Sequence, residues 1–106
     1  EALRYYHLDG KVRERLVLCE NVKQVLDYVA RGEVDAGLVF FTDARGRTQD
    51  VSLVAHAAPE SHAPAMYEIS AVAASRQPDT ARAFILFTAS KEAQSALARQ
   101  GFRTAM

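Results

Sequence analysis

A single cysteine, Cys19, stands among the 106 residues. An internal disulfide is therefore excluded, and a zinc cluster has no thiols to build on. Cys19 itself reads as a buried structural thiol on or beside a strand. An excess of charge is also missing, because 13 Lys and Arg balance 13 Asp and Glu. Such a chain offers no basic field to nucleic acid or to an anionic membrane. No apolar run approaches the ~20 residues that span a bilayer. There is no Gly-rich phosphate loop, no internal repeat and no low-complexity tract. His7, His56 and His62 lie far apart and lack an H-x-x-x-H or cysteine companion, so they read as surface or turn residues rather than metal ligands. Glu60, Ser61 and His62 carry the names of a catalytic triad, but neighbours on one connector do not take triad geometry. With no nucleophile–base pair, an enzyme is not expected.

Apolar residues make up 49% of the chain, enough for the core of one small domain. The clearest local signal is a helix. Val22, Val25, Leu26, Val29 and Ala30 recur at i, i+3, i+4, i+7 and i+8, one stripe of an amphipathic α-helix. Asn21 precedes the stripe as an N-cap, Gln24 fits the capping-box partner three residues on, and Gly32 suits the C′ stop. A second helix is expected from Pro78, with Ala81, Phe84, Ile85 and Thr88 on one side. Ser90 caps a third, which turns Ala93, Ala96 and Leu97 inward and ends at Gly101 with Phe102 folding back. Glu1 to His7 reads as the tail of a further helix, broken at Asp9-Gly10. The tyrosines Tyr5, Tyr6, Tyr28 and Tyr67 read as packing residues. Because the chain opens with Glu1 inside a helix pattern, it reads as part of a longer protein.

Between the helices lie short β-prone runs: Leu16–Cys19, Asp35–Phe41, Val51–His56 and Met66–Ala74. Thr42 to Asp50 is polar and reads as an exposed loop. The order strand, helix, strand across residues 16–41 predicts a parallel βαβ unit, and hence an α/β fold with a parallel or mixed sheet and C-terminal helices. In such open sheets ligands bind beyond the carboxyl ends of the strands, where helices begin. Val22 and Phe40–Phe41 would then share one sheet edge. The first amides of a helix have no internal acceptor and sit at the positive end of its dipole, so Val22 opens an anion-compatible helix start.

Four stretches together carry a resemblance. Glu20-Asn21-Val22-Lys23-Gln24-Val25-Leu26 resembles an "E-N-V-R-Q-A-L" helix start, and Val29 to Val39 resembles "V-x-x-G-E-A-D-A-G-I-V-Y". Ala57-Ala58-Pro59-Glu60-Ser61-His62 resembles "F-P-E-D-S-H". Ser90-Lys91-Glu92-Ala93-Gln94, with Gly101-Phe102 behind it, resembles "S-P-E-A-Q … Y-G-F". In this order and spacing they resemble the periplasmic molybdate-binding proteins of ABC importers.

The resemblance implies a two-lobed fold with a tetrahedral oxyanion, molybdate or tungstate, held in the cleft by neutral amide and hydroxyl donors. Residues 1–58 would belong to the second lobe, 59–65 to a connector, and 66–106 to a segment returning to pack on the first lobe. Two serines of the first lobe and an amide upstream of Glu1 would lie outside these residues. Val22 would contribute its backbone amide beside Asn21. The family's tyrosine donor falls on Phe40, which has no hydroxyl. The protein would have no cofactor, would deliver its ligand to membrane permease subunits, and would be periplasmic. An oxyanion-sensing domain of a transcriptional regulator is the rival expectation. Apolar faces left uncovered in these residues would favour a homodimer or a strand-exchanged form.

Overall fold

The computed structural model describes residues 1–104. They fall into two compact units, 1–65 and 66 onward. The first begins with two short helices, α1 (Ala2–Tyr5) and α2 (Asp9–Val12), the latter running into a 3-10 turn at Arg13–Arg15. Helix α3 (Val22–Ala30) and the short α4 (Phe41–Arg45) follow, then a 3-10 turn at Pro59–Ser61. The second unit holds α5 (Pro78–Thr88) packed on α6 (Lys91–Arg99).

Helix α3 is closed at both ends by the residues its pattern singles out. The Gln24 amide donates to Asn21 Oδ1 at 2.9 Å. The Gln24 side chain reaches back as a capping box does, but one residue further, and accepts from the Glu20 amide at 2.8 Å. At the far end Gly32 takes φ +72°, a left-handed conformation cheap only for glycine. This lets the Glu33 amide reach the Tyr28 carbonyl at 2.9 Å while Gly32 bonds Val29, a Schellman end. Helix α6 repeats the design. Ser90 Oγ accepts from the Ala93 amide at 3.2 Å, and Gly101, φ +98°, lets Phe102 bond the Leu97 carbonyl.

Helix α1 ends in the same hydrogen-bond pattern without a glycine. His7 holds φ +57°, and the Leu8 amide donates to the Leu3 carbonyl at 2.8 Å. The break after α1 therefore falls at His7, and Asp9-Gly10, expected to be the break, opens α2 instead. The expected loop after Phe41 begins as α4, whose Ala44 is buried.

The α/β expectation is overturned. Among the described residues no strand forms, so there is no βαβ unit and no parallel or mixed sheet. The β-prone runs take extended backbone at Leu16, ψ 129°, and at Phe40, ψ 146°. A strand, however, exists only beside another strand that accepts and donates its hydrogen bonds. These runs have the local conformation without the pairing. Most of their apolar side chains stay exposed accordingly, Leu18 at 90% and Val54 at 92%, while Cys19, Val39 and Val51 are half-buried.

The packed centre of the first unit is α3 against α4, where Leu26 and Ala44 are the buried apolar residues. Arg47 ties the two together. Its guanidinium donates to Asp27 on α3 at 2.9 Å and grips Asp50 at 2.8 and 3.2 Å. Gly37 passes so close to α3 that a Cβ there would run into the Val25 and Val29 methyl groups.

Candidate functional site

Two of the three residues singled out from the sequence meet in one place. Val22 and Phe40 line a mainly apolar cavity of about 280 Å³, together with Leu38, Val39, Ala57 and His62, and with Ala2 of α1. At ~30 Å³ per water, the space equals about nine waters. Val22 is the first residue of α3, so its amide has no acceptor within the helix. Asn21 is not on the cavity wall. Its side chain is committed to the Gln24 amide, and its role is to fix where α3 starts. The expected sheet edge does not bring Val22 and Phe40 together. The close passage of Gly37 along α3 does, because it carries Leu38, Val39 and Phe40 past the start of that helix.

His62 is the residue that sequence reasoning missed. It lies 40 positions from Val22, and no spacing rule connects them. The contact is made by segment 57–63 folding onto α1. The Ala58 amide donates to Tyr6 Oη at 2.8 Å, and the Ala63 amide donates to the Glu1 carboxylate at 2.6 Å. Between these tethers Ser61 is buried, its hydroxyl donating to the Ala58 carbonyl at 2.5 Å. His62 is held by them at the cavity wall, the one wall residue with a polar side chain among the described residues. Its Nδ1 sits 2.8 Å from the Ala63 carbonyl oxygen.

Strong electrostatics lie elsewhere. Hydrogen bonds from Arg47 hold the Asp50 carboxyl below its usual range, and Asp50 and then Asp27 raise the Arg47 guanidinium in turn. That cluster braces α3 and α4 and does not border the cavity. Among the described residues no group of His, Cys, Asp and Glu is placed to hold a metal ion, and no helix is long and apolar enough to cross a membrane. The recess is open to solvent, with Leu38 and Phe40 on its wall well exposed, and it offers a small solute apolar surface, a backbone amide at one point and an imidazole at another.

The comparisons agree with a binding role. The chain belongs to the family described as bacterial extracellular solute-binding protein, whose profile matches residues 1–103. It is 34% identical over 102 residues to the "Putative ABC transporter substrate-binding lipoprotein YvgL" of Bacillus subtilis (strain 168). It is 35% identical over 102 residues to the molybdate-binding protein ModA of Haemophilus influenzae. Each alignment covers 96% of this chain and 39% of the relative, so the chain spans about two-fifths of the length of the proteins it matches. No solved structure matches it.

Proposed function

We propose that this chain is part of the solute-binding component of an ABC importer, and that the solute is a tetrahedral oxyanion, molybdate or tungstate. The Val22 amide serves as one neutral donor, and the remaining donors come from parts of the protein beyond these residues. Residues 1–58 form part of one lobe, 59–65 a connector, and 66–106 a segment that returns to the other lobe. The protein works outside the cytoplasm, in the periplasm, and hands its cargo to permease subunits without covalent chemistry. Family membership and the named molybdate-binding relative support this reading. The observation that carries it to this site is the cavity that joins the start of α3 to Phe40.

Val22→Pro tests it in the complete protein. Proline is tolerated at the first helical position, and the preceding Asn21 already has the extended backbone that proline demands, φ −158° and ψ 171°. The substitution removes one N–H and leaves the helix. Calorimetric titration with molybdate, tungstate, sulfate and phosphate is expected to show tight binding of the first two only. Affinity is expected to fall by about tenfold or more in Val22→Pro, the loss of one hydrogen bond to a charged ligand. Binding of sulfate or phosphate alone would replace the proposed cargo, and equal binding by Val22→Pro would remove Val22 from the site.

A further inference from the structure

We propose that the His62 imidazole is a ligand-contacting, specificity-determining residue of this cavity, and that it supplies the side-chain donor that Phe40 lacks. The inference rests on the oxyanion reading above. A site for an anion needs hydrogen-bond donors, and an anion desolvated against unpartnered apolar wall is strongly disfavoured. Among the described residues on the wall, only the exposed His62 has a polar side-chain atom to offer.

The ring's own hydrogen bond decides how it can act. A carbonyl oxygen only accepts, so Nδ1, 2.8 Å from the Ala63 oxygen, carries the proton of the neutral ring. Nε2 is then a bare acceptor and repels an anion. Only the imidazolium presents an Nε2–H donor while keeping the Ala63 bond. Uptake of an oxyanion is therefore coupled to uptake of one proton, and affinity rises as pH falls through the range in which imidazoles charge.

The groups around His62 from the packed elements are those of a larger adjoining recess that His62 also borders. Glu1, Arg4, Tyr5 and His7 come from α1 and its end, and Glu60 comes from the same turn as His62. The Glu1 carboxylate is engaged by the Ala63 amide.

The test is calorimetry of the complete protein with sodium molybdate at about pH 6 and about pH 8, in two buffers of different ionisation enthalpy. The unaltered protein is expected to bind about tenfold tighter at the lower pH and to take up a proton on binding. His62→Gln keeps a neutral donor and is expected to abolish both the pH dependence and the proton uptake. Adding Phe40→Tyr to His62→Leu is expected to recover affinity that His62→Leu loses. Binding by the unaltered protein without proton uptake overturns the proposal, whatever the variants do. A pH profile unchanged in His62→Gln overturns it as well. If molybdate binds and Val22→Pro weakens it while His62→Gln keeps the profile, only this inference fails. If the unaltered protein binds none of the oxyanions, the functional reading fails and takes this one with it.

Discussion

Helix α3 and the segment Val51–His56 lie in the same unit and are similarly apolar, yet they meet opposite fates. In α3 each polar need is met within a dozen residues, by Asn21 and Gln24 at one end and by Gly32 at the other. Its apolar stripe has α4 to cover it, and Leu26 is buried. Val51–His56 has the residues of a strand, but a strand's needs are met only by another strand. Val54 remains 92% exposed. The contrast separates information that is local from information that needs a neighbour.

Hydrogen exchange on the 106-residue chain can break this comparison outright. The amide of Leu26 is expected to exchange at least about a hundredfold more slowly than that of Val54, since local opening of a packed helix costs free energy and an unpaired segment has nothing to open. Equal protection would mean that Val51–His56 finds a pairing partner in solution. A smaller effect sharpens the helical side. Asn21→Ala removes the acceptor for the Gln24 amide and is expected to cost about 1 kcal/mol in urea unfolding, with loss of helix signal at the start of α3.

Smaller still is the gain expected from His7→Gly. His7 occupies the left-handed position that Gly32 and Gly101 occupy elsewhere, and relieving it is expected to stabilise the fold by about 0.5–1 kcal/mol in the same assay. No change would show that the His7 side chain offsets the backbone cost. The smallest effect is a pH dependence. Asp50 is held below its usual value of 3.8 by Arg47, so its contribution is present above that pH and is lost as pH falls through the lowered folded value. Thermal melts between about pH 5 and about pH 2 should show that loss, and Asp50→Asn should remove it.

The same division explains what could be read in advance. The caps at Asn21 and Ser90, the proline at the start of α5, and the glycines after α3 and α6 are each decided by residues within a turn, and all five stand as the pattern indicates. The strands failed because a β-prone run says nothing about whether a partner lies beside it. The left-handed His7 was invisible because a glycine three positions later, Gly10, was the stronger breaker by residue type. Val22 and Phe40 are marked for the site by the resemblance, and the sheet edge that would also have placed them together is absent. His62 has no metal-ligand spacing and no triad geometry to mark it, and nothing within its own turn points to α1, to which Tyr6 and Glu1 fasten its segment.

Gly37 has a consequence for how tightly the cavity is specified. The chain fits against Val25 and Val29 there because a carbon atom is absent. If residues 35–40 slid along α3 by one position, Ala36 or Leu38 would bring a Cβ to the spot that only Gly37 can fill. The glycine thus works as a detent: one setting of the segment clears the helix, and its neighbours jam. Three residues further on, that setting is what puts Phe40 opposite Val22. Any larger residue at position 37 meets Val25 and Val29 first, and by pushing the segment off α3 it moves Phe40 away from Val22.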